Sequence, residues 1–261
     1  MARESFWCLC QVCILDSLSE RELQELSRIT PMRHFKAGQF IYHMGQPANS
    51  LYTIGEGQVT ISTVTLDGRE KILGLFKSGD AFGELFVPEE DRGKTEAKAH
   101  TDVWLCALTE RDFFPICKQR PEVAINFIRV LMRRVHELQE EIEDLAFSTA
   151  RQRLLKLLNR LCPEYQEQAG AQVCTVRFSQ DELGRILGLT RERVNAVVNG
   201  LKEQGILESH YGYITADREK LRRFLEEQES VYMVGVRWKN DLIKKMPVSY
   251  THLTLPTILR V

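Results

Sequence analysis

The stretch 179-SQDELGRILGLTRERVNAVVNGLKEQG-205 holds two short helical patterns separated by a glycine, and it decides how the rest of the chain is interpreted. Ser179 and Glu182 have the spacing of a capping box, which predicts the start of the first helix, and Gly188 breaks that helix. Thr190 can cap the second helix, whose valines fall on one inner face. The spacing predicts a helix-turn-helix motif.

The outer face of the second helix carries polar side chains that suit the edges of DNA bases. Arg191 can donate two hydrogen bonds to guanine, Glu192 can accept one from cytosine, and Asn195 can form a pair of hydrogen bonds with adenine. Other polar groups of the motif suit phosphates, which position a protein without reading sequence. For each isolated charge, a solvated helix face is the alternative. The candidate DNA-binding residues are Ser179, Thr190, Arg191, Glu192, Arg193, Asn195, Asn199 and Lys202.

Length and composition set the class of protein. The chain has 261 residues, 43% of them apolar and 27% charged, with a formal net charge of −1. The length is sufficient for two globular domains. Because the net charge is close to zero, any DNA-binding surface must be a local basic patch. No apolar run reaches the roughly 18 residues that span a bilayer, and no signal peptide is recognisable, so we expect a cytoplasmic protein without a membrane partner. We find no pattern of catalytic residues and expect no enzyme.

The chain before the helix-turn-helix changes character twice. A short amphipathic helix is predicted from Ser17, and 31–108 then alternates short apolar runs with glycine turns, which favours a β-barrel or jelly roll. Helix returns near Glu110. After the helix-turn-helix, the sequence predicts a hairpin that turns near Tyr211 and then a final helix, an order of elements that is typical of a winged helix.

A long helix over 122–147 is predicted to pair with its twin. Its apolar residues recur at gaps of four and three, the spacing of a coiled-coil seam, so we expect a two-fold homodimer. The alternative is a helix buried on its own β module. The seam consists of Ala124, Ile128, Leu131, Val135, Leu138, Ile142 and Leu145.

This order of parts, together with GDAFGEL at 79–85 and TRERVN at 190–195, resembles the Crp/Fnr family of bacterial transcription regulators. The resemblance implies an α+β fold: an N-terminal double-stranded β-helix (jelly roll) of the cyclic-nucleotide-binding type, a long dimerisation helix and a C-terminal winged helix-turn-helix. It also implies a homodimer on near-palindromic double-stranded DNA, contact with RNA polymerase, and allosteric control by an effector or redox signal at the β-roll. Where some members carry a further arginine, this chain has Ala196, so its half-site should differ.

The resemblance assigns five segments. These are a cysteine-containing segment 1–16, a β-roll sensor 17–121, the dimerisation helix 122–147, the DNA-binding domain 148–229 and a tail 230–261. From Val231 the resemblance ends, and PVSYTHLTLPTILRV at 247–261 looks like translated adapter read-through, with a genuine extension as the alternative. A sensing module whose winged helix binds protein is the alternative function.

The resemblance also suggests an effector site. In cyclic-AMP-binding members, a glutamate after glycine holds the ribose hydroxyl and an Arg-Ser pair holds the cyclic phosphate. Glu84 matches the first, whereas Lys94 and Thr95 replace the pair, and lysine lacks the planar fork of arginine. A structural turn is the alternative. The candidate effector residues are Gly83, Glu84, Leu85, Arg92, Lys94 and Thr95.

The cysteines suggest a different sensor. Cys8, Cys10 and Cys13 precede the β-roll, and Cys106 lies where oxygen-sensing members of the family carry a fourth ligand, so the resemblance suggests a [4Fe–4S] cluster. The spacing C-x-C-x-x-C departs from those members, and neighbouring side chains of an extended C-x-C point in opposite directions. Packed or incidental thiols are the alternative. Seven cysteines overall favour reduced thiols or a metal over a disulfide framework.

Overall fold

A computed structural model describes residues 2–46, 49–162 and 173–226 of the chain. The tail predicted over 230–261 lies outside these residues. The helices are α1 (Ala2–Cys10), α2 (Glu20–Ile29), α3 (Glu110–Gln119), α4 (Pro121–Phe147), α5 (Ala150–Leu161), α6 (Gln180–Leu187) and α7 (Arg191–Glu203), and 218–226 is also helical. The strands are β1 (Met32–Phe35), β2 (Phe40–Tyr42), β3 (Ser50–Glu56), β4 (Gln58–Val64), β5 (Glu70–Lys77), β6 (Ala81–Gly83), β7 (Glu96–Ala99), β8 (Val103–Thr109), β9 (Val173–Val176), β10 (Leu207–His210) and β11 (Tyr213–Asp217).

The predicted β module is a sandwich of two four-stranded antiparallel sheets. Their strand orders are β1-β8-β3-β6 and β2-β7-β4-β5. Inward-facing residues of both sheets, such as Ile54, Val59 and Leu105, form one buried core. The short strands fold in this way because their apolar residues alternate with polar ones, which gives each sheet one face to bury.

A second core lies between the sandwich and the helices. Leu108 of β8, Phe113 of α3 and Val123 of α4 are buried together with the N-terminal segment. That segment is the helix α1, which the sequence analysis did not predict, and its Cys8 and Leu9 are fully buried. Cys8 and Cys10 therefore lie on a helix, and the argument from an extended C-x-C does not apply to them.

The chain divides into two compact units, and the division does not follow the boundary expected near Ser148. One unit comprises the described residues of 1–154 and 178–199, and the other comprises the described residues of 155–177 and 200–226. Residues of α6 belong with the sensor in this division because α6 packs against β5.

The second unit contains a three-stranded antiparallel sheet in the order β10-β11-β9. The hairpin between β10 and β11 turns at Gly212, whose φ of +80° suits glycine. Cys162 and Cys174 form a disulfide, so the expectation of reduced thiols or a metal site is wrong for this pair. The pair joins the residue after α5 to β9, two positions that the sequence separates by 12 residues.

Candidate functional site

The helix-turn-helix is built by the local signals that the sequence shows. Ser179 Oγ accepts a hydrogen bond from the Glu182 N–H at 3.2 Å, and the Ser179 N–H donates to Glu182 Oε2 at 2.8 Å. Gly188 ends α6 in the left-handed region, with φ +65°. Thr190 Oγ1 accepts from the Arg193 N–H at 3.3 Å and caps α7. The capping box, the glycine break and the second cap are confirmed.

Gly184 is a further requirement of the turn that the sequence analysis missed. A Cβ at this position would lie 2.7 Å from the carbonyl oxygen of Leu189, which is closer than atoms tolerate. The Leu189 N–H donates to the Gly184 carbonyl at 2.9 Å, so the chain folds back tightly over this residue. A glycine inside an otherwise regular helical pattern was the available signal.

The recognition helix α7 presents its polar face to solvent. Val194 and Val198 are buried, whereas Val197, which we expected to face inward, is only half-buried. Asn199 Nδ2 donates to Asn195 Oδ1 at 3.3 Å, which links two neighbouring positions of the outer face. The exposed candidates are Thr190, Arg191, Glu192, Arg193, Asn195, Asn199 and Lys202, and Ser179 is half-buried.

Glu192 is held ionised at the first turn of α7. Its pKa lies below the usual range because its carboxylate accepts from its own backbone N–H and from the Thr190 hydroxyl, while the charge of Arg191 adds to the effect. An ionised carboxylate only accepts hydrogen bonds, and cytosine N4 is the base-edge donor that it suits.

The effector loop is organised around the carboxylate of Glu84. Gly83 precedes it with φ +126°, and a Cβ there would lie 2.2 Å from the Ser50 carbonyl oxygen, so only glycine fits. Glu84 is buried; its Oε2 accepts from the Gly93 N–H at 2.7 Å and its Oε1 from Thr95 Oγ1 at 2.9 Å. Glu84 and Thr95 are thus brought together as the resemblance implies.

The basic candidates of the loop are bound to other groups of the protein. Arg92 Nε donates to the Val87 carbonyl at 2.8 Å and its Nη1 to Asn49 Oδ1 at 3.0 Å. Lys94 Nζ pairs with Asp91. A phosphate that binds here must therefore compete with these partners.

Two further residues define the surroundings of the loop. Leu85 is buried in the second core, between the sandwich and the helices, and this burial anchors the loop. Tyr42, which sequence reasoning did not single out, lies with its hydroxyl 3.5 Å from Thr95 Oγ1. Burial raises the pKa of Tyr42 to about 12, so its phenol stays neutral. Its place in the alternating run FIYHMG indicated an inward strand position and nothing more.

The four candidate cluster thiols are not brought together. Cys8 and Cys106 are buried neighbours. The Cys8 thiol donates a hydrogen bond to the Thr53 carbonyl at 3.6 Å. A hydrogen bond with Cys8, together with burial, raises the pKa of Cys106. Cys10 and Cys13 are exposed. Within residues 2–46, 49–162 and 173–226, no three metal-ligating side chains converge. The four thiols do not fit a [4Fe–4S] cluster in this arrangement.

The helix α4 has one face on its own β-sandwich and an apolar face in solvent. Val123 is fully buried on the first face, and Phe127 and Val130 pack beside it. On the second face Ile142 is 66% exposed and Leu131 47% exposed. The exposed seam consists of Ile128, Leu131, Val135, Leu138, Ile142 and Leu145, with Ala124 half-buried at its start.

A helix-turn-helix with an exposed polar recognition helix, joined by a long helix to a β-sandwich with a buried glycine-glutamate loop, defines a DNA-binding regulator with a sensor domain. Comparison with known families agrees. Residues 32–120 match the cyclic nucleotide-binding domain, and residues 152–224 match the Crp-like helix-turn-helix domain.

The proteins that are similar to about two thirds to three quarters of this chain include transcription regulators. The chain is 32% identical to the cyclic AMP receptor protein of Thermus thermophilus over 67% of this chain and 78% of the relative. It is 28% identical to the cAMP-activated global transcriptional regulator Vfr of Pseudomonas aeruginosa, over 75% and 94%. The crystal structure of a CRP/FNR-family transcriptional regulator from Thermus thermophilus superposes with a TM-score of 0.63 at 29% identity, covering 75% of this chain and 98% of that one. The chain belongs to the Crp/Fnr family of transcriptional regulators.

None of the helices in the described part of the chain has the length and apolar content to cross a bilayer.

Proposed function

We propose that this regulator acts in the cytoplasm as a homodimer on a near-palindromic operator. The observation that carries the proposal is the exposed polar face of α7, on which Arg191, Glu192 and Asn195 stand clear of the buried valines. A two-fold dimer places two such helices on successive turns of DNA, about 34–36 Å apart. The family resemblance adds RNA polymerase as a partner.

The apolar seam of α4 supports the homodimer. A solvated helix face is normally polar, and isolated apolar residues need no explanation, but a continuous row along most of one helix does. A second copy buries the same row by knobs-into-holes packing. The seam lies about a quarter turn round the helix from the face on which Val123 packs, so one helix serves both its own core and the partner.

The loop around Glu84 is the proposed effector site, and a cyclic nucleotide is the first ligand to test. When bound, it would supply a ribose hydroxyl and a cyclic phosphate. Glu84 would accept a hydrogen bond from the ribose hydroxyl in place of the one that it now accepts from Thr95. Lys94, Arg92 and Thr95 are the groups that would hold the phosphate. Tyr42 is positioned to accept or donate at Thr95 when that exchange occurs.

Selection from random duplex DNA tests the DNA-binding proposal. We expect the purified protein to enrich an inverted repeat and to lose affinity as salt rises, because phosphate contacts release counterions. Arg191→Ala should cost about 1–3 kcal/mol and relax selection at one base of each half-site. Arg193→Ala is the matched control, because a phosphate contact weakens all sequences alike. Failure to enrich any sequence would contradict the proposal.

Calorimetric titration with cyclic AMP and cyclic GMP tests the effector site. Binding should be abolished or much weakened in Glu84→Gln, which keeps the shape of the side chain and removes its charge. Glu89→Gln, exposed in the same loop, should bind as the wild type does. Absence of binding to the wild-type protein would exclude both nucleotides and leave the DNA-binding proposal untouched.

A further inference from the structure

Two thiols lie in contact beneath the first helix of the sensor, and DNA binding makes no use of them. Cys8 of α1 and Cys106 of β8 are both fully buried, among apolar residues of the second core such as Leu9 and Leu108. The two thiols share a hydrogen bond. A single buried cysteine packs as a small apolar side chain, but two that touch are also able to react with each other.

The backbone of the sheet fixes the position of Cys8. Its thiol donates to the Thr53 carbonyl of β3 at 3.6 Å, and Thr53 lies directly opposite Cys106 in the antiparallel pairing of β3 with β8. Two residues along β3, a Cβ at Gly55 would lie 2.8 Å from Cys8 Sγ and 3.0 Å from Cys8 Cα. A larger residue at this position would push α1 away, so the glycine sets the distance between the helix and the sheet.

A second polar contact of α1 reaches the same cysteine of β8. Ser5 Oγ accepts from the Met32 N–H at 3.1 Å, and Met32 is the residue opposite Cys106 on β1. The Ser5 side chain also hydrogen-bonds with Cys106. Ser5 and Cys8 are three positions apart and therefore share one face of the helix. That face holds Cys8 against Cys106 in one orientation.

The two thiols differ in acidity. The hydrogen bond with Cys106, together with one at Thr53, lowers the pKa of Cys8 against the effect of burial, whereas the pKa of Cys106 is raised. Because the thiolate is the nucleophile, Cys8 is the sulfur that attacks first. A structural zinc needs four ligands, and within the described residues no third metal-ligating side chain joins this pair. A disulfide needs only these two sulfurs and is uncharged, which suits an apolar core.

We propose that Cys8 and Cys106 form a redox site, at which hydrogen peroxide oxidises the two thiols to a disulfide that fastens α1 to the sensor sheet. The Cys8 sulfur attacks one peroxide oxygen, so that an S–O bond forms, the O–O bond breaks and the leaving hydroxide becomes water with the thiol proton. The Cys106 sulfur then attacks the Cys8 sulfur, so that the S–S bond forms, the S–O bond breaks and a second water leaves with the other thiol proton. The two sulfurs lose two electrons, and the peroxide gains them. Peroxide is small and uncharged, and local opening of a terminal helix admits it.

Oxidation of the folded full-length chain tests the proposal. The variant to use carries Cys10→Ser, Cys13→Ser and Cys117→Ser, so that Cys8 and Cys106 are the cysteines left outside the Cys162–Cys174 disulfide. After treatment with hydrogen peroxide, peptide mass spectrometry without reduction should find a linked pair of peptides that contain Cys8 and Cys106. A reducing agent should return both thiols. The same treatment in concentrated urea should give at least about tenfold less of this bond, because the unfolded chain must first close a long loop.

Two comparisons assign the bond to this pair. Cys106→Ser in the same background is the matched control: without a partner sulfur, Cys8 should gain oxygen as a sulfenic or sulfinic acid. In the wild-type chain, Cys10 and Cys13 are exposed and provide a competing C-x-x-C pair. Cys8 should nevertheless be linked to Cys106 there.

Three results would overturn the redox site. The first is that Cys8 and Cys106 keep their thiols at a peroxide concentration that oxidises the exposed Cys10 and Cys13 of the wild-type chain. The second is that either sulfur is linked to a different cysteine. The third is that Cys8 gains oxygen to the same extent whether residue 106 is cysteine or serine.

Discussion

Thr95 Oγ1 donates a 2.9 Å hydrogen bond to Glu84 Oε1 across 11 positions of the sensor loop. The other carboxylate oxygen accepts from the Gly93 N–H at 2.7 Å. Each oxygen of this buried side chain is therefore supplied with a donor by its own loop. A carboxylate oxygen can accept a second hydrogen bond, so an effector hydroxyl would either add to these donors or replace Thr95, which rotation about one side-chain bond releases.

Removal of this hydroxyl should destabilise the sensor. Thr95→Val keeps the volume and leaves a buried carboxylate oxygen without its donor, which costs about 1–3 kcal/mol. Unfolding in urea, followed by circular dichroism, measures the loss. Thr95→Ser retains the hydroxyl and should lie much closer to the wild type. Equal stability of the valine and serine variants would show that the hydrogen bond contributes nothing.

A charge in the seam of α4 should dissociate the dimer. Ile142 is 66% exposed in the single chain, and Ile142→Glu would place two carboxylates against each other in the pair. We expect the dimer dissociation constant to rise at least about a hundredfold, or ~2.7 kcal/mol, in sedimentation equilibrium. Glu140→Ala, outside the seam on the same helix, should leave it within a factor of a few. An unchanged constant for Ile142→Glu would place the dimer interface elsewhere.

Two glycines of the DNA-binding motif should respond to alanine in opposite directions. Gly188 has φ +65° and open space around its Cβ position, so Gly188→Ala incurs only the left-handed backbone cost, about 1–2 kcal/mol of unfolding free energy. Gly200 lies inside α7, also with open space, so Gly200→Ala should add about 0.5–1 kcal/mol. Gly188→Asn should recover part of the first loss. Thermal unfolding of the three variants measures these changes in stability. A Gly188→Ala variant that is more stable than the wild type would contradict the prediction.

The ion pair between Glu22 and Arg120 should make stability depend on acid pH. Arg120 Nε donates to Glu22 Oε1 at 2.6 Å, and this bond, with those from Ser19, lowers the pKa of Glu22 to about 2. A lowered pKa in the folded chain contributes stability above the unfolded value, near 4.5, and the contribution disappears as the pH falls toward 2.

Glu22→Gln therefore should cost stability at pH 7 and progressively less below pH 4.5, where the wild type also loses the charge. Denaturant unfolding across that range measures the difference between the two proteins. Glu25→Gln, exposed on the same helix, is the control. A difference that is constant with pH would mean that the amide loses packing and not charge.

Signals that act over a few residues were readable in the sequence. The capping box of Ser179 and Glu182, the break at Gly188 and the seam of α4 each depend on short spacings along one helix, and the structure confirms the elements that they define. The order of these elements was enough to identify the family. The exposed polar positions of α7 followed from the same periodicity.

Contacts between distant segments were not readable. The pair Glu70 and Arg185 joins charges that each suit a solvated face, so neither residue type indicates the other. The helix α1 was not predicted because its short cysteine-containing segment also fits a set of metal ligands, while its burial depends on contacts with α2, β3 and β8. The disulfide of Cys162 and Cys174 was missed because an odd number of cysteines, three of them crowded near the N-terminus, favoured reduced thiols or a metal site.

The seam of α4 also has a consequence for gene dosage. If only the dimer binds the operator, the amount of active regulator at low expression follows the square of the chain concentration, so doubling expression raises it about fourfold. A cell in which half of the chains carry Ile142→Glu would then lose more than half of its operator-binding activity.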